Sequence, residues 1–352
     1  MFSRLYNTPQ STYRGLFKEI KMDLYGVDLF GDVVKPNAES VINQRFILPP
    51  FTILNAQSGE WQERKRAWIA LGIKSEVGRG ENLMESSEST IWYHNRKKYA
   101  HTFNTTDWIK KNDLSGGAQG LGATSVFDPV LSELAYKWFC PLGGLVVDPF
   151  AGGSVRGIVA GAMGRNYWGC DLRQEQIDAN IIQANDIDTK IKPKWVCGDS
   201  METKLPDADF IFSCPPYGDL EVYSDHPQDL SNMDFHAFLA AYRRIIWRSV
   251  RALKDDSFAC FVVGDFRDKK GFYRNFVSET INAFEICGAR LYNEAILATS
   301  VGSAAMRVTK QFEIGQKMAK VHQNVLVFCK GDWRKATQKI NDSEKSNTRE
   351  NT

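Results

Sequence analysis

Two short runs carry most of the chemistry this chain can do. The first is Val146-Val147-Asp148-Pro149-Phe150-Ala151-Gly152-Gly153, and the second is Phe212-Ser213-Cys214-Pro215-Pro216-Tyr217. The first has the pattern of an apolar strand running into a glycine turn, where a ligand can approach the backbone closely. The second has the pattern of a strand that ends in a rigid Pro-Pro-aromatic corner, since each proline fixes φ and brings no N–H donor. Together they describe a nucleotide-type cofactor site beside a flat apolar clamp. Cys214 is the odd residue, because a hydrogen-bonding Asp, Asn or Ser before Pro215 is easier to explain.

Further acids extend the first run. A following strand pattern ends at Asp171, placed to accept from ribose hydroxyls, and another ends at Asp199, placed to accept from an exocyclic adenine amine. The dinucleotide fingerprint GxGxxG is missing, and Asp148 stands before the turn. A carboxylate there repels a pyrophosphate and suits a cationic ligand group. S-adenosylmethionine carries an amine and a sulfonium and no phosphate, so it is the expected cofactor. Helix 154–163 points its N-terminal N–H groups at the same place.

The elements that must position these residues alternate from residue 126 onward. The pattern predicts helix 129–139, strand 145–148, helix 154–163, strand 166–171, helix 173–185 and strand 194–197. It continues with strand 209–213, helix 234–253, strand 257–263, helix 272–287 and strands 290–298 and 323–329. This implies an α/β fold, a Rossmann-like, doubly wound, mostly parallel seven-stranded sheet, with its last strand antiparallel. The domain reading is an irregular N-terminal region 1–125, a catalytic domain 126–331 and a disordered polar tail 332–352. One helix is expected near Trp61–Leu71, and the glycine-rich stretch 115–122 reads as a mobile junction.

Asp148 to Gly153 resembles the DPFxGxG cofactor motif of the amino-group DNA methyltransferases, and Cys214-Pro215-Pro216-Tyr217 resembles their [D/N/S]PP[Y/F/W] catalytic motif. Phe127-Asp128-Pro129 is similar to the segment before the cofactor motif in that family. His322 to Gly331 is similar to its closing strand. The resemblance spans roughly 125–331. It implies transfer of a methyl group from S-adenosylmethionine to adenine N6 or cytosine N4 of double-stranded DNA, in the manner of the solitary methylases that bacterial viruses encode. It implies a cofactor site of Phe127, Asp128, Asp148, Pro149, Phe150, Gly152, Gly153, Asp171 and Asp199, and a catalytic corner of Ser213, Cys214, Pro215, Pro216 and Tyr217. An RNA base N-methyltransferase and a catalytically silent DNA-binding relative remain as alternatives.

The clamp has a physical logic. An enzyme acting on a base amine takes the base out of its stack, and Tyr217 can stack on it for roughly 1–3 kcal/mol. The prolines leave carbonyls to accept from the amine, and alignment with the methyl donor is mostly proximity. A thiol is a weak donor and acceptor. Cys214 therefore fills space while Ser213 or Asp219 holds the amine, or it marks an impaired enzyme, or its thiolate attacks a pyrimidine ring. The last needs a cation nearby, and none is adjacent in sequence. The loop 218–224 is expected to close over the substrate.

Contacts to nucleic acid are expected from the flexible basic segment 300–322, through Arg307, Lys310, Lys317 and Lys320. The basic runs 64–66, 96–98 and 110–111, interleaved with Trp61, Trp68, Trp92 and Trp108, suggest target recognition in the N-terminal region. A net charge of +2 on 352 residues means such binding rests on local patches. The seven cysteines show no CxxC pair and no metal-ligand spacing, and no long apolar run is present. A reducing cytoplasm and no metal are the expectation.

Overall fold

The computed structural model describes residues 45–73, 127–218, 224, 226–299 and 304–350, of which 304–307 and 347–350 are described in backbone only. Residues Phe51–Thr352 form one compact unit and Met1–Pro50 another. All that follows concerns the first. Among the described residues no helix is long and apolar enough to cross a membrane, and no cluster of His, Cys, Asp and Glu is arranged to hold a metal ion.

The strands are β1 (Ile53–Asn55), β2 (Leu145–Asp148), β3 (Asn166–Asp171), β4 (Lys194–Cys197), β5 (Ala208–Ser213), β6 (Leu253–Val263), β7 (Ala289–Ala298) and β8 (His322–Lys330). The helices are α1 (Gly59–Ala70), α2 (Pro129–Phe139), α3 (Val155–Ala162), α4 (Gln174–Asp186), α5 (Phe235–Ala252), α6 (Phe276–Ile286), α7 (Ala304–Gly315) and α8 (Trp333–Glu350). They build a Rossmann-like, doubly wound α/β fold with an eight-stranded sheet in the order β1-β7-β8-β6-β5-β2-β3-β4. β8 runs antiparallel to β6 and β7, and the remaining pairs are parallel. The eighth strand, absent from the sequence expectation, is β1 on the edge of β7.

The order in which successive strands are added reverses between β2 and β5, which are parallel neighbours with Val147 paired to Ile211. Such a switch point leaves a crevice at the strands' carboxyl ends, and both motifs sit there. The central strands are continuous apolar runs because both faces are covered. α3 presses on the sheet at Gly157, where a Cβ would lie 2.5 Å from the Trp195 ring, so only glycine fits. On the other face, Phe261, Phe276, Phe284 and Phe328 pack between α5, α6 and the sheet, with Phe284 and Phe328 stacked at 3.9 Å.

Three expectations need correction. The stretch expected as a disordered tail is helical over 333–350: α8 runs to Glu350 and docks with Ala336 and Ile340 buried and Trp333 stacked on Tyr292. Its apolar stripe is too narrow to outweigh a polar composition. The segment 300–322 is no continuous loop, since α7 occupies its middle. The boundary at 125 does not divide the compact unit, because β1 and α1 belong to it.

Glu344 of α8 ties the helix down through Lys137 (2.7 Å) and Arg165 (3.0 Å). Burial works against its ionisation, but these two cations outweigh burial and hold its carboxyl below the usual glutamate value. Its contribution is therefore present at neutral pH and lost as pH falls through that lowered value. Glu344→Gln is expected to lower stability by roughly 1 kcal/mol at pH 7 and by less at pH 3. Urea titrations at the two pH values check this.

Candidate functional site

Asp148 closes β2 and is fully buried. Its Oδ2 accepts from Arg156 Nε at 2.6 Å and from Tyr167 Oη at 2.7 Å. Its Oδ1 accepts from Ser213 Oγ at 2.5 Å and from Phe150 N at 3.2 Å. Arg156, in the first turn of α3, also donates to the carbonyls of Phe150 (2.6 Å) and Ala151 (2.9 Å) and lies over the Phe127 ring. Burial alone would lower the Arg156 pKa, and the Asp148 charge beside it more than reverses this. The carboxylate expected to meet a cationic ligand thus already has a cation of the chain's own. This corrects the reading of Asp148 as a ligand contact: it builds the turn from beneath. Ser213 is corrected likewise. Its hydroxyl is fully buried and committed to Asp148 and Phe150 N, so it cannot hold a substrate amine.

Above this pair lies a cavity of about 420 Å³, within the range of small-molecule sites. One half is lined by the glycine turn and the acids. Gly152 adopts φ +50° and donates its N–H to Asp171 Oδ2 at 3.0 Å. Arg173 N donates to the other Asp171 oxygen, also at 3.0 Å. Burial pushes the Asp171 carboxyl up, and the two backbone donors only partly offset it. Asp199 Oδ1 accepts from Met201 N at 2.7 Å, while its Oδ2 is buried with no hydrogen-bond partner. A buried acceptor in that state is costly unless a ligand donor meets it. Phe127, Pro149, Phe150 and Gly153 also line the cavity.

Asp128 lines it too, but its oxygens are occupied. Oδ1 caps α2 through Val130 N, and Oδ2 accepts from Trp61 Nε1 (3.2 Å) and Lys65 Nζ (3.1 Å). These partners come from α1, which closes one wall. Arg64 and Trp68 of the same helix reach Glu133. The run Arg64–Lys65 with Trp61 and Trp68 therefore faces α2, not a nucleic acid. The signal missed in the sequence was Ser58, whose hydroxyl caps α1 at Trp61 N, together with acids on α2 able to pair with this basic stripe.

The other half of the cavity is the corner after β5. Cys214, Pro215, Pro216 and Tyr217 all line it. Tyr217 Oη accepts from Gln323 Nε2 at 2.7 Å, and its ring meets Phe266 and Phe276 edge-on. Gln323, at the start of β8, was not anticipated. Cys214 is half-buried and close enough to the Arg156 guanidinium for their charges to interact. Sequence separation hid that cation, which is itself bound to Asp148.

No family model matches the chain. No curated protein matches it either. Among solved structures it is similar to TrmN from Thermus thermophilus, with 14% identity over 57% of this chain and 48% of that one, at a TM-score of 0.40. It spans about half of that relative's length. A TehB-like SAM-dependent methyltransferase from Corynebacterium glutamicum gives 17% identity over 67% and 98%, at a TM-score of 0.37. Magnesium protoporphyrin IX methyltransferase from Synechocystis, solved with SAM bound, gives 9% over 64% and 94%, at 0.39.

Of the basic residues expected to touch nucleic acid, Lys317 and Lys320 lie against the segment 264–273. Lys310 is exposed on α7, and the Arg307 side chain lies outside the described residues. Lys317 is exposed beside Gly271. Lys320 is half-buried, its Nζ 5.9 Å from the Tyr273 ring, and burial lowers its pKa. Trp92, Trp108, the basic runs after residue 95, the stretch 115–122 and residues 219–223 with Asp219 lie outside the described residues.

Proposed function

We propose that this chain is an S-adenosylmethionine-dependent methyltransferase acting on an exocyclic amine, adenine N6 or cytosine N4, of a base turned out of double-stranded DNA. The observation that carries this reading is the single cavity with two chemically different halves. One half offers acceptors: Asp171 at the end of β3 and the partnerless Asp199 Oδ2. The other offers a flat apolar wall from Pro215 to Tyr217.

The residues fit the cofactor. Asp199 Oδ2 suits an adenine amine, Asp171 retains acceptor capacity for ribose hydroxyls, and the Gly152 turn admits close approach. When bound, S-adenosylmethionine supplies a methyl group on a positively charged sulfur. The chain's own part is positioning. Asp148, Arg156 and Ser213 fix the β2 and β5 termini against each other, so that both halves keep their spacing. The Pro215-Pro216 backbone presents carbonyl oxygens and no N–H, which favours an amine as the approaching group. Tyr217, steadied by Gln323, offers its ring to the base.

Cys214 is best read as a spacer in this arrangement. Its neighbouring cation is already paired with a carboxylate, which weakens the case for a standing thiolate. Cys214→Ser is expected to leave the transfer rate within about fivefold of the parent, whereas loss of a covalent nucleophile costs several orders of magnitude. Single-turnover kinetics on a methylatable DNA decide between them.

Expression in a methylation-free host, followed by modification-sensitive sequencing, tests the reading as a whole. N6-methyladenine or N4-methylcytosine at a recurring site is expected. Host DNA without a modified base counts against it. Target recognition is assigned to the N-terminal region, and a truncation that tests it must spare α1, which forms part of the cavity wall.

A further inference from the structure

The segment between β6 and α6 touches the site described above only at its base, through Phe266, and its construction is unusual. Arg267 and Tyr273 form an antiparallel bridge. Asp268 closes the turn between them, its N–H donating to Phe272 O at 2.8 Å and its Oδ1 accepting from Lys270 N and Phe272 N at 2.9 Å each. Arg267 Nη1 donates to Gly271 O at 2.8 Å and its guanidinium lies 4.0 Å over the Tyr273 ring. The tip is thus held by the bridge and five further bonds or contacts, yet it presents Phe272 with 72% of its surface exposed. A single exposed phenylalanine is ordinary. One held at the end of a braced turn, flanked by exposed Lys269, Lys270 and Lys317, is shaped for a partner both anionic and stackable.

The turn stands beside the substrate half of the cavity. At Gly264, just before it, a Cβ would lie 3.5 Å from Lys320 Cε and 3.9 Å from Tyr217 Oη. Phe266, at its base, meets the Tyr217 ring at 6.2 Å. Asp265 accepts from Val277 N and Asp268 holds the turn. Lys269, Lys270, Lys317 and Lys320 outnumber these two acids, so the local charge is positive.

We propose that the turn Phe266–Arg274 is a wedge for duplex DNA, with Phe272 entering the base stack next to the target while Lys269, Lys270 and Lys317 hold phosphates. Proteins that open a stack commonly insert an apolar side chain of this kind, and it offsets the cost of turning a base out towards Tyr217. The inference rests on the DNA methyltransferase reading.

The test uses the full chain and a duplex carrying the site found by sequencing, with the target base either paired or opposite an abasic position. Phe272→Ala is expected to slow transfer at least about tenfold on the paired duplex and under about threefold on the abasic one, where little stacking must be broken. Phe272→Trp is expected to keep the paired rate. Equal losses on both duplexes, or no loss on either, overturn the wedge while leaving the activity standing. If the parent protein labels RNA and no DNA, the underlying reading falls first and the wedge with it.

Discussion

Arg156→Ala is expected to cost about 3–5 kcal/mol of folding stability, because it leaves the Asp148 carboxylate charged, fully buried and without its cation. Three neutral donors remain, from Tyr167, Ser213 and Phe150 N. They ease the charge but do not cancel it. The arginine also caps the carbonyls of Phe150 and Ala151, so its loss loosens the turn that lines the cofactor half. The ion pair need not be a large net source of stability, since desolvation offsets most of its attraction. The asymmetry lies in removing one partner only. Asp148→Asn on top of Arg156→Ala is therefore expected to recover part of the loss, with a coupling of about 0.5–3 kcal/mol. Urea titrations of the two single variants and the double variant measure it. An Arg156→Ala protein within 1 kcal/mol of the parent would mean that water or a ligand, not the guanidinium, neutralises Asp148.

Tyr217→Ala is expected to slow methyl transfer to DNA by roughly 5- to 150-fold, the equivalent of losing 1–3 kcal/mol of stacking on the turned-out base. Cofactor affinity, read by calorimetry, should stay close to that of the parent, because the acids of the other half are untouched. Tyr217→Phe separates the ring from its hydroxyl. It loses the Gln323 hydrogen bond, a change of about 0.5–1.5 kcal/mol, so it should retain most of the rate. If phenylalanine proves as damaging as alanine, the hydroxyl rather than the ring does the work, and Tyr217 is not a stacking platform.

The scaffold was legible from sequence wherever an element has a clear local pattern. β2, β3 and β4 and helix α2 fall on their expected boundaries, because short strand runs bounded by turn signals and a helix capped by Asp128 leave strong local signatures. Legibility failed where packing, not local pattern, decides. α8 is polar over most of its length and is held by Ala336, Ile340 and the Glu344 ion pairs. α6 begins four residues later than its apolar pattern suggests, because the Asp268 turn captures Phe272 and Tyr273. β1 is three residues long and gains its place only by pairing with β7.

The site shows the same division. Gly152, Asp171, Asp199 and Tyr217 line one cavity, as their strand-end positions imply. The partner of Asp148 could not be read, because Arg156 lies eight residues on and looks like an ordinary helix residue. Once that pairing is seen, the acid that led the sequence argument for a cationic ligand no longer supports it. The weight passes to Asp199, whose buried Oδ2 has no donor within the described residues. Gln323 and α1 were hidden for a similar reason: they reach the cavity from distant parts of the chain.

The most direct measurement is transfer of a labelled methyl group from S-adenosylmethionine to unmethylated duplex DNA, with total RNA in parallel, followed by hydrolysis and chromatography of the nucleosides. The account predicts label in N6-methyladenine or N4-methylcytosine from DNA. Label confined to RNA, or found in 5-methylcytosine, would contradict it.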